Sequence, residues 1–235
     1  MAELILPRIF EDKSPDGKYK HLNGAPKISY SQINSWVDPL YHADYLKNYF
    51  LKISLPSGIF AEFGSACGEY IESKGVGTVP NTDRLCDTDV EILGGIEYPE
   101  NSIYEDLIVI DMGEFVIEGY ADRCIYLPEN ELIVEDFKTG SIAKKGGFYA
   151  SQDYMQTKLY AFEKENLGYK IKDCKVLMLD RAGNGSEKHP IRLTGKTQYI
   201  PTPYNRKEVE KYLKKIKFVA KDISDCYQTY LKIFG

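Results

Sequence analysis

The sequence predicts an α/β fold in which a central mixed β-sheet is flanked by helices, with helical additions at both ends of the chain. Residues 118–123 and 134–140 are rich in β-formers, and the break at residues 127–131 contains Pro128 and Asn130. This pattern is typical of an antiparallel hairpin. Helical periodicity precedes the hairpin, and a helix, a strand and a long helix are expected after it.

The N-terminal part of the chain begins irregularly. Residues 1–28 are polar and contain several prolines and glycines, so a lead-in without regular structure is expected there. A first helix is predicted from residues 29–32, with Ser31 as its N-cap. Ile33, Trp36 and Val37 are expected on the buried side of this helix.

A second helix is predicted over residues 60–74, where apolar residues recur with the helical period. These residues are Phe60, Phe63, Cys67, Tyr70 and Ile71. Beside them, Gly64, Gly68 and Glu72 recur at every fourth position. Small residues there allow close approach to a sheet, and Glu72 could reach a bound metal. On spacing alone, an exposed helix carboxylate is the simpler interpretation of Glu72.

The remaining elements follow from the same signals. Residues 75–102 are rich in Gly and Pro and predict a loop-rich connector, and a strand over residues 107–111 leads into the hairpin. A helix, two strands and a final helix are expected near residues 151–165, 174–180, 190–200 and 205–233. A single domain is therefore expected over residues 29–235.

Composition narrows the class of protein. The chain has 235 residues, of which 43% are hydrophobic, so a packed core is expected. It contains no apolar run of the ~18–20 residues that a membrane span needs. Its start lacks the basic region of a secretory signal. Five scattered cysteines favour a reducing compartment, and the cytoplasm is the expected location.

The net charge of −5 is unevenly distributed along the chain. Residues 1–137 carry 10 Lys and Arg against 25 Asp and Glu, whereas residues 138–221 carry 19 against 8. The basic part could bind phosphates, and Lys144, Lys145 and Arg181 are its candidate DNA contacts. A solvated helix face is the alternative for the lysines of the final helix.

The hairpin brings acidic residues together. If its turn centres on Glu129, Asp122 lies opposite Asp136 and Arg123 lies opposite Glu135. Cross-strand neighbours have Cβ atoms about 4.5–5.5 Å apart, and like charges at that distance are destabilising. The two aspartates are therefore expected to share a cation, whereas Arg123 and Glu135 form an ion pair on the opposite face.

Lys138 lies on the same face as Asp136, because side chains alternate along a strand. Two carboxylates suit Mg²⁺, which takes few protein ligands and keeps waters for substrate phosphates. A lysine beside such a metal can orient or help to deprotonate an attacking water. The arrangement indicates metal-dependent phosphodiester hydrolysis. The alternative is an ordinary solvated hairpin, since Asp-x-Lys is a common sequence.

Three motifs resemble the PD-(D/E)XK nuclease superfamily and, within it, the RecB-type branch. Residues 119–122, Gly-Tyr-Ala-Asp, resemble its Gly-x-x-Asp strand, and residues 136–140, Asp-Phe-Lys-Thr-Gly, resemble its Asp-Tyr-Lys-Thr-Gly strand. Residues 156–160, Gln-Thr-Lys-Leu-Tyr, resemble its Gln-x-x-x-Tyr helix. The resemblance covers roughly residues 29–200 and implies a restriction-endonuclease-like core.

The resemblance also implies roles for individual residues. Asp122 and Asp136 would bind Mg²⁺ or Mn²⁺ together with the main-chain carbonyl of Phe137. Lys138 would position the nucleophilic water and stabilise the charge that develops on the phosphorus group. On the following helix, the side chains that would hold the DNA strand are Gln156 and Tyr160.

The early helix departs from the Gly-x-x-x-His-x-x-x-Glu pattern of many RecB-type members, because Gly68 stands in place of the histidine. Glu72 is therefore the expected ligand on this helix, with Glu69 as the alternative. Iron–sulfur members have a cysteine before an early proline and a C-terminal cysteine cluster. In this chain Asp38 precedes the early proline, and Cys226 is the only cysteine near the C-terminus. No iron–sulfur cluster is therefore expected.

The expected function is that of a metal-dependent DNA nuclease, and the motifs favour an exonuclease on single strands or duplex ends. Recombination, repair or phage DNA processing would be its setting. One alternative is an inactive DNA-binding or assembly protein on the same fold, and another is a structure-specific endonuclease. DNA is the expected partner and a membrane is not. A recombination or replication protein and an oligomeric state are also compatible with the sequence.

Overall fold

The computed structural model describes residues 4–142 and 154–235, and within them it has the predicted α/β fold, a mixed six-stranded sheet flanked by helices. The helices are α1 (Tyr30–Val37), α2 (His42–Tyr45), α3 (Ile59–Gly75), α4 (Asp87–Gly94), α5 (Met155–Asn166) and α6 (Arg206–Phe234). The strands are β1 (Lys27–Ile28), β2 (Ser102–Asp111), β3 (Val116–Tyr126), β4 (Glu131–Gly140), β5 (Lys170–Ala182) and β6 (Arg192–Pro201).

The chain divides into two compact units. The terminal unit contains Met1–Pro56, Leu107–Tyr120 and Arg206–Gly235, and the central unit contains Ser57–Asp106 and Ala121–Asn205. Strands β2 and β3 therefore contribute residues to both units. The single domain expected over residues 29–235 stays a prediction.

Strand β4 is an inner strand of the sheet. It pairs antiparallel with β3 and parallel with β5, which in turn pairs antiparallel with β6. Strand β3 also pairs with β2 and, in parallel, with β1. A parallel pair needs a crossover connection, and α5 lies in the connection between β4 and β5.

Strand β5 is buried on both faces of the sheet. Leu177 and Leu179 belong to a cluster with buried residues of α3, α4 and the neighbouring strands, while Val176 and Met178 pack with Tyr154. The other buried members of the first cluster are Phe63, Cys67, Tyr70, Ile71, Leu93, Tyr104, Ile191 and Leu193. Because side chains alternate along a strand, this division requires a covering layer on each face.

Helix α3 approaches β4 closely at a glycine. A Cβ atom added to Gly64 would lie 3.0 Å from Thr139 Oγ1, which confirms the predicted close approach at this position. The same expectation is wrong for Gly68, where an added Cβ would meet nothing within 4 Å. The predicted burial of α3 holds for Phe63, Cys67, Tyr70 and Ile71 but not for Phe60, which is 41% exposed.

The terminal unit is built around α6, which buries one stripe of its surface. The stripe consists of Val209, Leu213, Ile216, Ala220, Ile223 and Ser224. Trp36 of α1 donates a 2.8 Å hydrogen bond from Nε1 to Asp222 of α6. Within residues 4–142 and 154–235, no helix combines the length and the apolar character that a membrane span requires.

Several predicted details of the helices are wrong. The N-cap of α1 is Ser29 and not Ser31, because Ser29 and Gln32 form a reciprocal capping box. Val37, the last residue of that helix, is 56% exposed. The connector predicted over residues 75–102 contains α4, and α2 with the π-helix Leu46–Phe50 was not predicted.

A buried ion pair sets the register of the β3–β4 hairpin. Arg123 is paired across the ladder with Glu135, as predicted, and both side chains are 1% exposed. Arg123 Nε donates to Glu135 Oε2 at 2.6 Å, and Arg123 Nη1 donates to the Glu97 carbonyl at 2.7 Å. Lys175 Nζ lies 3.0 Å from Glu135 Oε1. The register is thereby tied to a buried charge network of Arg123, Glu135 and Lys175.

Removing one partner of this pair should be strongly destabilising. In Glu135→Leu the Arg123 charge stays buried without its counter-ion, so the free energy of unfolding should fall by about 3–5 kcal/mol. The double variant Arg123→Met/Glu135→Leu should recover most of that loss. Urea denaturation measures both. The exposed Lys172–Glu131 pair is the control, since Lys172→Ala should cost under ~1 kcal/mol. A Glu135→Leu cost no larger than the control would contradict the expectation.

Candidate active site

The two acids predicted from the hairpin lie one residue beyond the last pair of its ladder, and the charge of Asp136 acts on Asp122. The antiparallel pairing runs from Tyr126 opposite Leu132 to Arg123 opposite Glu135. Beyond it, the main-chain N–H of Phe137 donates a 2.6 Å hydrogen bond to Asp122 Oδ2. A side-chain carboxylate thus accepts a main-chain N–H of β4. This bond holds the Asp122 carboxylate against β4.

Lys138 connects the carboxylate of Asp136 with the neighbouring main chain. Its Nζ lies 2.6 Å from Asp136 Oδ2 and donates a 3.3 Å hydrogen bond to the Phe137 carbonyl. Asp136 is 2% exposed, and no described residue donates a hydrogen bond to its Oδ1. A buried carboxylate oxygen without a donor is costly unless a cation binds it.

Burial and mutual repulsion control the charges of this group. Burial and the charge of Asp136 raise the pKa of Asp122 to about 7, although Lys138 and the Phe137 N–H oppose the shift. Burial disfavours the charge of Lys138, but Asp136 and Asp122 together raise its pKa. At neutral pH the lysine is therefore a cation that donates hydrogen bonds, and it is not poised to accept a proton.

A cleft of about 750 Å³ in the central unit opens onto these residues. One of its walls is a single face of α3, and strands of the sheet contribute the rest. Its lining consists of Phe60, Ala61, Gly64, Ser65, Gly68, Glu69, Glu72, Glu105, Asp122, Phe137, Lys138, Thr139 and Arg181. Asp136 is buried and is not part of this lining, but it contacts Lys138, which is.

Glu72, Glu69 and Arg181 therefore share the cleft with Asp122 and Lys138. Glu72 is half-buried and Glu69 is exposed. Among the described residues, no group of three or more His, Cys, Asp or Glu side chains has a metal-binding arrangement. The choice of Glu72 over Glu69 as the early-helix ligand thus stays a prediction.

The helix residues predicted to hold DNA contact each other. Gln156 Nε2 donates a 2.8 Å hydrogen bond to the Tyr160 hydroxyl, and Tyr160 is 4% exposed. Burial, with added repulsion from Asp136 and Asp122, raises the pKa of Tyr160, so its hydroxyl stays neutral. Tyr160 is thus a core aromatic close to the acids, and its contact with DNA stays a prediction. Lys144 and Lys145 lie outside the described residues.

Glu105 is a cleft residue that the sequence did not reveal. It belongs to β2, yet its φ is 49°, in the left-handed region that residues other than glycine rarely adopt. Partial burial and the charge of Glu72 raise the pKa of Glu105. The strand predicted from the sequence began at residue 107 and so did not include Glu105. A positive φ at a single residue other than glycine leaves no recognisable pattern in the sequence.

The donor set fits a hard divalent cation. Asp122, Asp136 and the Phe137 carbonyl offer oxygen atoms, which Mg²⁺ and Mn²⁺ prefer over nitrogen or sulfur. The Lys138 ammonium contacts two of these three groups, Asp136 and the Phe137 carbonyl. The cysteines are free thiols, and Cys226 is exposed.

Comparison with known proteins adds a likeness of fold. No model of a protein family and no curated protein matches the chain. Among solved structures, it is similar to that of a protein from Eubacterium rectale named "Putative exonuclease", with 12% identity over 91% of this chain and 88% of that chain and a TM-score of 0.50. It is also similar to the SSO0001 structure, with 15% identity over 82% of this chain and 76% of that chain and a TM-score of 0.43. At 12% identity the likeness to the Eubacterium rectale protein is one of fold.

Proposed function

We propose that the chain is a metal-dependent nuclease that hydrolyses DNA phosphodiester bonds, and more specifically an exonuclease on single strands or duplex ends. The observation that carries this proposal is the buried Asp136 carboxylate, whose Oδ2 contacts Lys138 while its Oδ1 has no donor among the described residues. The Asp122 carboxylate is held beside it by the Phe137 N–H. Recombination, repair or phage DNA processing is the setting that we propose.

In this proposal Asp122, Asp136 and the Phe137 carbonyl hold Mg²⁺ or Mn²⁺, with Glu72 as the candidate fourth group. The bound ion would polarise the phosphate and lower the pKa of a coordinated water. Lys138, a cation at neutral pH, donates hydrogen bonds that orient the attacking water and offset the charge on the phosphate oxygens. It acts as a donor in this arrangement and not as the general base.

In this proposal DNA is the partner, and two cationic side chains of the cleft contact its phosphates. Arg181 contributes a guanidinium to the lining, and Lys138 contributes an ammonium. Arginine matches the geometry of phosphate oxygens and keeps its charge at every physiological pH. The protein of Eubacterium rectale supports the nuclease class through its name, and it supports nothing finer.

The decisive test is hydrolysis of end-labelled single-stranded, duplex and circular DNA with Mg²⁺, Mn²⁺ or EDTA. The wild type should degrade linear DNA with either metal and spare circles. Asp136→Asn should abolish this activity, and Lys138→Met should lower kcat by ~10²–10³-fold because a donor to the reacting group is lost. Cleavage of circles would move the protein to the endonucleases. Metal-independent cleavage, or full activity of Asp136→Asn, would refute the proposal.

The raised pKa of Asp122 predicts how metal-free stability depends on pH. The folded pKa of about 7 exceeds the ordinary value of 3.8, so the native state retains a proton that the unfolded state loses. Stability should therefore fall as pH rises from about 4 to 7. Asp122→Asn keeps an acceptor for the Phe137 N–H but does not ionise. In EDTA, urea denaturation should show this variant gaining stability over the wild type at pH 8 but not at pH 4. An equal difference in stability between Asp122→Asn and the wild type at pH 8 and at pH 4 would contradict the raised pKa of Asp122.

Mg²⁺ should reverse this pH dependence, since it binds the deprotonated carboxylates. Calorimetry in two buffers of different ionisation enthalpy should show proton release on Mg²⁺ binding at pH 6.5. Asp122→Asn should release fewer protons. Lys172→Ala, on the exposed pair, should release as many as the wild type.

The open position at Gly68 allows a test of the cleft that leaves the acids intact. Gly68→Leu should project into the cleft, since an added Cβ meets nothing within 4 Å. Replacing a helix glycine should also favour folding by up to ~1 kcal/mol. We expect a higher melting temperature together with a loss of DNA hydrolysis. Gly68→Ala, which adds a single methyl group, should keep most of the activity. Full activity in Gly68→Leu would show that DNA does not pass this face of α3.

A further inference from the structure

An exposed aromatic and a guanidinium occupy one end of the cleft. Phe60, in the first turn of α3, is 41% exposed although it continues the apolar period of that helix. The Arg181 Cζ lies 4.0 Å from the centroid of the Phe60 ring. Both residues line the cleft, and no described residue pairs with the buried Nε atom of Arg181. The Arg181 guanidinium is therefore already in cation–π contact with the Phe60 ring.

The two ends of the cleft differ in charge. Phe60 and Arg181 lie at one end of the α3 wall, and Glu72 lies twelve residues further along the helix, a distance of about 18 Å. Glu69 and Glu105 add their carboxylates to the lining. The negative charges of a phosphate chain are attracted to Arg181 and repelled by the carboxylates. A DNA strand should therefore be held at the end of the cleft that contains Phe60 and Arg181.

We propose, on the basis of the nuclease function proposed above, that Phe60 and Arg181 clamp a nucleotide of an unpaired DNA strand. The base stacks on the Phe60 ring, and the Arg181 guanidinium binds the adjacent phosphate while it remains stacked on the same ring. Every base has a flat π-face, so such stacking tolerates any sequence. Arginine suits both contacts, because its guanidinium is planar and binds phosphate oxygens in a bidentate manner.

The clamp determines the class of substrate. A base in a duplex is stacked on its neighbours and paired with its partner, so its face is not free to contact Phe60. Unpairing it costs free energy, whereas a single strand presents free bases. The cleft should therefore select single strands or the unpaired end of a duplex, and the selection should depend on Phe60.

The test is binding and hydrolysis of a fluorescein-labelled dT20 strand, a blunt hairpin duplex and a dT20 with abasic sites. Binding is measured by anisotropy with Ca²⁺ in place of Mg²⁺, and hydrolysis with Mg²⁺. Phe60→Leu should weaken binding of dT20 by about 10-fold and raise KM by a similar factor with little change in kcat. Phe60→Trp should restore both, and Arg181→Lys should weaken binding because the planar guanidinium is lost. The abasic strand should bind the wild type and Phe60→Leu alike.

The matched control is Phe218→Leu, which removes an aromatic that is 76% exposed on α6 of the terminal unit. It should bind and hydrolyse dT20 as the wild type does. If the wild type hydrolyses DNA and Phe60→Leu binds and hydrolyses dT20 as well as Phe218→Leu does, the clamp is overturned and the nuclease proposal stands. Phe60-dependent binding without hydrolysis would support the clamp and overturn the nuclease proposal. Failure of the wild type to bind any of the strands would overturn both.

Discussion

The Arg123–Glu135 ion pair is the interaction on which the site depends. It is buried, and a slip of the hairpin by one residue would separate the two charges onto different faces of the sheet. With the register set in this way, Asp122 and Asp136 each lie one residue beyond the last pair of the ladder. The Arg123–Glu135 pair on one face of the sheet thus keeps the two like-charged carboxylates, Asp122 and Asp136, near each other on the other face.

That repulsion is retained at a cost to stability. Burial and the neighbouring Asp136 raise the pKa of Asp122, and Asp136 Oδ1 has no donor among the described residues. Lys138 offsets part of the cost by contacting Asp136 and the Phe137 carbonyl. Groups held in costly electrostatic states concentrate at functional sites, because their function supplies the missing partner. Here we propose that this partner is a divalent cation.

Helix α3 relates this centre to the shape of the cleft. Gly64 lets the helix lie close to Thr139 of β4, so that the face with small residues becomes a wall beside the acids. Gly68 leaves open space on that wall, and Phe60 and Glu72 lie towards its opposite ends. One helix thus separates an aromatic and cationic end from an acidic end. A polymer with flat bases and a charged backbone is the substrate that we expect for such a surface.

The sequence by itself determined the α/β class, the hairpin register and the Arg123–Glu135 pair, because alternation and turn chemistry act between residues close in the chain. Its patterns also predicted Asp122, Asp136 and Lys138 as one group. Only the tertiary structure decided the exposure of Phe60, the left-handed backbone of Glu105 and the existence of α4. These features depend on packing between segments distant in the chain, and such contacts override local periodicity without any signal in the local sequence.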